Sequence, residues 1–373
     1  MKLAFNIDYD HLEYTGIGRY GLELAGAWIR SGAGCEIWML RNTRPVPPGI
    51  PGSAGLLRYY PFPKRITDRF WPSLKSIISG IRWVHSANGI MLPGGAGFRQ
   101  VTMVHDLGPY LFGHMKDDAD TVPWRRRLDR IARFADCIVV NSRATMEDLL
   151  EVFPSVEGRV FVTPLGIDHF PRGRKAGPPE HILTVGTVEP RKNVDGLLRA
   201  YSILRGRRDV PPLVVAGMDG YRAGEYREMA RELSLGDSVR FTGYVTDQQL
   251  ADLYGRALCL VHPAHHEGFG FTVPEAFSWG LPVVASDTAG LAEYFTGAVW
   301  MVDPGDPESI AAGIELAMDR GVTEDQAARR EAISGLLTWD GCAAKTREVL
   351  EGLSGRRFEG RGGGLSVRAC RRS

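Results

Sequence analysis

Two carboxylates eight positions apart, Glu267 and Glu275, stand in the stretch His262-Pro263-Ala264-His265-His266-Glu267-Gly268-Phe269-Gly270-Phe271-Thr272-Val273-Pro274-Glu275-Ala276. The apolar run before it, ALCLVH, reads as a buried strand, with Gly268 and Gly270 opening a turn. Glu275 then falls in the first turn of a helix, where Pro274 is tolerated. Each carboxylate can accept two hydroxyl hydrogen bonds, which suits the vicinal diols of a hexose and of a ribose. A helix N-terminus beside them favours the phosphates that would join two such sugars. A metal held by His262, His265, His266 and Glu267 fits poorly, because the spacing is neither HExxH nor a Cys/His finger. Helix capping could account for Glu275 but not for the whole group.

Three further segments carry groups that could act with these. In Thr184-Val185-Gly186-Thr187-Val188-Glu189-Pro190-Arg191-Lys192-Asn193, a strand, a glycine and two adjacent cations precede a helix. Arg191 can fork onto phosphate oxygens while Lys192 supplies a point charge, and both counter charge growing on a departing phosphate. The alternative is a solvated pair at a loop. VTMVHDLG puts His105 and Asp106 at a strand's carboxyl end, where the histidine can donate to a sugar hydroxyl or move a proton, with Asp106 orienting its ring. A histidine packed under a loop is the plainer reading. In Tyr14-Thr15-Gly16-Ile17-Gly18-Arg19-Tyr20, Gly16 and Gly18 let the backbone approach a ligand, and a tight strand-to-helix turn explains them equally well.

These segments need a scaffold that brings strand ends together. Short apolar runs alternate with amphipathic helical stretches: KLAFNI, CEIWML, GIMLP, QVTMVHD and CIVVNS in the first half, then ILTVGTV, PLVVAGM, SVRFTGYV, ALCLVHP, PVVASD and AVWMVD. Helical patterns lie among them, notably at 18–31, 123–135, 144–152, 194–204, 226–235, 247–254 and 273–279. Strands apolar on both faces imply parallel sheets covered by helices. Two such sets in 373 residues imply an α/β protein of two doubly wound, Rossmann-like domains. The Pro-, Gly- and base-rich HFPRGRKAGPPEH separates them. The expected division is 1–170, 171–336, a crossover helix at 337–354 packing on the first domain, and a basic, disordered tail at 355–373. Ligands of such sheets bind beyond the carboxyl ends of the strands, so two facing domains would frame a central cleft.

Composition narrows the classes. A net charge of +1 gives no global reason to bind nucleic acid. Five dispersed cysteines without a CxxC pair suit a reducing, cytoplasmic setting. The N-terminus lacks the apolar core of a signal peptide, and no apolar run approaches the ~20 residues of a membrane span. Basic and aromatic clusters at 61–75 and at Trp124-Arg125-Arg126-Arg127 with Arg130 and Arg133 would suit the inner face of an anionic membrane, or a solvated helix face. Dinucleotide chemistry is disfavoured by the missing GxGxxG.

The elements TGIGRY, VHDLG, VNSRAT, TVGTVEPRKN and EGFGFTVPEAFSWGLPVVASDTAGLAE, in this order, resemble the retaining glycosyltransferases of family 4, which have the GT-B fold. The terminal TWDGCAAKTREVLEGL is similar to that family's helix crossing back to the first domain. The resemblance implies catalytic roles for His105, Glu267, Arg191 and Lys192. Glu267 would hold hydroxyls of the transferred sugar, Glu275 the ribose, and Arg191 and Lys192 the diphosphate. Gly16, Gly18, Asp106, Gly186, Gly268, Phe269, Gly270 and Phe271 would line the substrate. No cofactor or divalent metal is implied, and retention would come by a front-face route. TGIGRY and EPRKN are closest to the mannosyltransferase-like branch, which implies GDP-mannose as donor and a saccharide or lipid-linked saccharide as acceptor. A UDP-hexose used on a small-molecule acceptor is the alternative, and a non-catalytic glycan-binding protein a further one. Val273-Pro274 and Phe277-Ser278 depart from the family's usual residues, which leaves donor identity to positions such as His265, His266 and Phe271.

Overall fold

In a computed structural model of the protein, residues 1–6, 16–38, 55–57, 80–92, 98–112, 118–170, 173 and 177–354 are described. The basic cluster at 61–75, most of the loop at 41–55 and the tail at 355–373 lie outside them. So do Tyr14, Thr15 and Cys370. The described chain forms two compact units. One comprises residues 1–111, 121–169 and 337 onward, and the other 112–120 and 170–336.

The first unit is built on the parallel strands β1 (Leu3–Asn6), β2 (Cys35–Trp38), β3 (Gly55–Leu57), β4 (Trp83–Ser86), β5 (Arg99–Val104), β6 (Cys137–Val140) and β7 (Val160–Val162), in the order β3-β2-β1-β4-β5-β6-β7. The second has β8 (His181–Val185), β9 (Leu213–Ala216), β10 (Val239–Gly243), β11 (Ala257–His262), β12 (Val283–Ser286) and β13 (Trp300–Val302), in the order β10-β9-β8-β11-β12-β13. Both are doubly wound sheets whose order reverses beside the first strand, at β1/β4 and β8/β11, the place where such sheets take ligands. Central strands such as CIVV, LVVA and VVAS are buried along their whole length, as a sheet covered on both faces requires.

One strand differs from the sequence reading. GIMLP is not a strand; the ladder position belongs to WVHS, Trp83–Ser86. His85 and Ser86 interrupt its apolar character, yet both are buried, with the Tyr20 hydroxyl 3.0 Å from His85 Nε2. The GIMLP segment begins at Gly89, with φ +73°, and meets its backbone needs through side chains. Asn88 Oδ1 accepts from the Ile90 N–H, and the Gln100 amide bonds both the N–H and the carbonyl of Leu92. β3 and β7 were also hidden by their three-residue lengths.

The terminal helix, Trp339–Ser354, returns to the first unit and lies along the first helix, Gly16–Arg30. Trp339 is 1% exposed, its indole N–H reaches His169 Nδ1 at 2.9 Å, and its backbone N–H bonds Asp168. Gly166 permits this approach, since a Cβ there would lie 2.3 Å from the Trp339 nitrogen. On the helix Asp118–Phe134, Val122, Trp124 and Phe134 are exposed beside arginines, with the Arg127 guanidinium 4.3 Å over Trp124 and that of Arg133 5.1 Å over Phe134. Cys35, Cys137, Cys259 and Cys342 are buried thiols, and burial pushes the first, third and fourth up to about 12. None of the described helices is long and apolar enough to cross a membrane.

Candidate functional site

The second unit gathers its polar groups at the carboxyl ends of β8 and β11. β8 runs into Gly186, whose φ of +151° suits glycine, and then into the single 3₁₀ turn Pro190–Lys192. Asn193 anchors that turn. Its φ is +57°, its carboxamide oxygen caps the helix Val194–Arg207 through the Gly196 N–H, and its amide donates to the carbonyls of Pro263 and Pro304 at 2.9 and 2.7 Å. The cations are thereby tied to the end of β11. His265 and His266 add to the tie through their main chain: the His265 N–H donates to the Arg191 carbonyl, and Arg191 Nη1 donates to the His266 carbonyl at 3.0 Å. The His266 ring itself lies against Phe112.

Around Glu267 the charges are paired. Arg191 grips Glu189 through Nε and Nη2, at 3.2 and 3.0 Å, and its Nη1 lies 3.3 Å from Glu267 Oε1. Lys192 Nζ donates to the same oxygen, and His262 Nε2 stands 3.4 Å from it. Burial works to raise the Glu267 carboxyl, but Lys192, Arg191 and His262 outweigh it and hold the group well below the usual range. Glu267 is therefore ionised. All three partners act on Oε1, and Oε2 takes no hydrogen bond among the described residues. It is the oxygen left for a ligand.

Glu275 sits where expected, in the first turn of the helix Thr272–Ser278, and accepts from the Tyr254 hydroxyl at 2.9 Å. Burial first, then the adjacent carboxylate, raises the Tyr254 phenol well above its usual value, so it remains a donor. Tyr254 in turn stacks on Trp279. Gly268 and Gly270 form the bend between Glu267 and this helix, Gly270 with φ +77°. Phe269, expected among the residues lining the substrate, has its side chain turned into the protein. The ring is 3% exposed and packs on Phe271, Tyr294 and Phe295, so it anchors the loop. Phe271 is only part-buried and reaches Phe170 as well.

In the first unit His105 follows β5 directly. Its Nε2 lies 3.1 Å from the Ala87 carbonyl, which can only accept, so Nε2 carries the proton. Burial lowers the imidazole's pKa against the pull of that carbonyl and of Asp106, so the ring is neutral and Nδ1 is a hydrogen-bond acceptor. Nδ1 is therefore the ring nitrogen able to accept a hydrogen bond. The Ala87 carbonyl holds the ring at Nε2, and Asp106 Oδ1 accepts from the Gly108 N–H. Gly16 opens the first helix and is exposed, whereas Gly18 is buried within it.

Three residues that the sequence reading left without roles stand out: His262, Asn193 and Tyr254. The available signals were the strand-end position of His262 and the place of Asn193 after the cations. Nothing local marks Tyr254, which lies 21 positions from its partner. Among the described residues, no three His, Cys, Asp or Glu side chains are grouped so as to hold a metal ion. What the second unit offers is an ionised carboxylate with one open oxygen, two cations beside it, and a second carboxylate at a helix start.

Residues 14–169 match the model of the Glycosyltransferase Family 4 domain and residues 167–334 that of Glycosyl transferases group 1. The chain is 30% identical over 264 residues to the O-antigen chain mannosyltransferase B of Escherichia coli, covering 66% of this chain and 69% of that one. Among solved structures it resembles sucrose-phosphate synthase from Thermosynechococcus elongatus, with TM-score 0.70 and 21% identity over 95% of this chain and 99% of the other. HepE from Anabaena, solved with UDP and glucose, gives 0.64 at 16% identity over 95% of this chain and 100% of that one. Two doubly wound units with this strand order, and a site built on the glutamate segment, agree with these likenesses, and the chain belongs to the group 1, family 4 glycosyltransferases of GT-B fold.

Proposed function

We propose that the chain transfers a hexose from a nucleotide sugar to a saccharide or lipid-linked saccharide in glycan biosynthesis, with retention at the anomeric carbon and without a divalent metal. The observation that carries this reading is Glu267, ionised, pinned at Oε1 and open at Oε2 beside Lys192 and Arg191. Oε2 accepts from hydroxyls of the transferred sugar, and Glu275 from the ribose. Lys192 moves from Glu267 onto the diphosphate, and with Arg191 counters the charge that grows as the anomeric C–O bond breaks. The new bond forms on the same face while the acceptor hydroxyl's proton passes to the leaving phosphate oxygen. His105 Nδ1, on the first unit, accepts from a sugar hydroxyl.

Mannose from GDP-mannose is the first donor, supported by the Escherichia coli relative named as a mannosyltransferase. A UDP-hexose is the second, supported by the UDP and glucose in the HepE complex. Purified protein assayed for nucleoside diphosphate release over a panel of nucleotide sugars tests both. Glu267→Gln is expected to lower kcat/KM for the accepted donor by roughly two orders of magnitude. Turnover equal to the parent would end this role for Glu267.

The protein works in the cytoplasm at an anionic membrane face, a reading supported by Arg126, Arg130 and Arg133 beside exposed Val122 and Phe134 on the helix Asp118–Phe134. Sedimentation with anionic liposomes is expected at low salt and lost at high salt. No binding at low salt would remove it.

A further inference from the structure

His262 is not needed as an acid, a base or a direct ligand in the reading above, yet it touches both halves of the glutamate segment. It ends β11 and is 2% exposed. Its Nδ1 lies 3.0 Å from the Thr272 hydroxyl, in the first turn of the helix that carries Glu275, and its Nε2 lies 3.4 Å from Glu267 Oε1. The Ser286 hydroxyl bonds its carbonyl, so the strand end is held from β12 as well. The loop passes over the ring at Gly270, where a Cβ would come within 3.7 Å of Nε2.

Resting on the nucleotide-sugar reading, we propose that His262 is a positioning residue, whose Nε2–H takes over Glu267 Oε1 when Lys192 leaves for the diphosphate and so keeps Oε2 aimed at the sugar. The tautomer follows from its surroundings. Burial keeps the ring neutral against the pull of Glu267, with Lys192 and Arg191 adding to the opposition to a second proton. A neutral ring has one N–H, and a lone pair on Nε2 would face a carboxylate oxygen. The proton therefore sits on Nε2, and Nδ1 accepts from the Thr272 hydroxyl.

The distance carries the next step. At 3.4 Å the Nε2 contact is longer than a completed hydrogen bond, and among the described residues Nε2 has no hydrogen-bond partner. Lys192 at present occupies Oε1 more closely. A diphosphate competes for that ammonium. Once it moves, Glu267 keeps Arg191 and His262, and a small closing shift completes the imidazole bond. Without His262 the carboxylate is free to turn and to offer either oxygen, so the sugar hydroxyls meet a poorly oriented acceptor.

The test compares binding of an accepted nucleotide sugar with binding of its nucleoside diphosphate, by calorimetry, for the parent and for His262→Gln, His262→Asn and His262→Phe. The Gln amide reaches the Nε2 position, whereas the Asn amide reaches only that of Nδ1. His262→Phe and His262→Asn are expected to weaken the nucleotide sugar by about tenfold, while the diphosphate changes less than about threefold, and His262→Gln restores most of the loss. Equal loss for both ligands, rescue by Asn rather than Gln, or unchanged affinity would overturn the proposal. If the Phe protein fails to fold, the Gln and Asn pair decides. A parent protein that binds and turns over no nucleotide sugar would instead defeat the functional reading, before any variant is made.

Discussion

Lys192 and Arg191 are adjacent in sequence but differ in what holds them. Arg191 is engaged by Glu189, by the His266 carbonyl and by Glu267, so its guanidinium is fixed in place. Among the described residues Lys192 has Glu267 alone as its ion-pair partner, which makes it the cation able to move to a phosphate. Two acids and two cations balance before any donor arrives, which lowers the cost of burying them. His105 gives a pH prediction. Its folded pKa is lowered, so the ring stays a neutral acceptor as pH falls past the ordinary value of about 6.5. The acid limb that His105 contributes to kcat/KM is therefore expected below that value, with no change as pH rises above it. A pH–rate profile checks this, and an acid limb centred near 6.5 that vanishes in His105→Gln would contradict it. At this scale the sequence offered the charged groups but missed their holders, because Asn193, Tyr254 and His262 reach residues up to 111 positions away.

Elements position these residues through close backbone contacts that glycine permits. Gly290, in the helix Ala289–Phe295, backs onto the glutamate loop so tightly that a Cβ would lie 2.0 Å from the Glu267 carbonyl oxygen and 3.0 Å from that of Gly268. Gly217 does the same for β8, since a Cβ there would lie 1.9 Å from the Gly186 carbonyl. Gly290→Ala is expected to push the loop outward and to lower kcat/KM by about 10- to 100-fold, although Gly290 makes no proposed contact with substrate. Steady-state kinetics check it, with diphosphate affinity and the thermal midpoint read in parallel. Unaltered kinetics would show that the helix yields instead of the loop. In the sequence this glycine reads only as a weak spot in a helix. The strand WVHS was missed for a related reason. His85 Nε2 and Ser86 find partners in Tyr20 and in neighbouring strands, which no local pattern displays.

For the molecule as a whole, the sequence by itself determined the two parallel sheets, because strands buried on both faces must be continuously apolar and the helices between them amphipathic. It also determined the order of the chemical segments and their place at strand ends, since glycines and charges there interrupt apolar runs visibly. The return of the terminal helix was legible through its likeness to the family. The tertiary structure alone decided which atoms meet. It assigned Oε1 of Glu267 to three protein partners and left Oε2 without a hydrogen bond among the described residues, made His105 Nδ1 an acceptor by placing Ala87 against Nε2, and sent Phe269 into an aromatic cluster. Composition and spacing record what a segment is made of. Hydrogen bonds act over about 3 Å and depend on direction, so which groups pair is settled only when β8 and β11 set residues some 75 positions apart side by side.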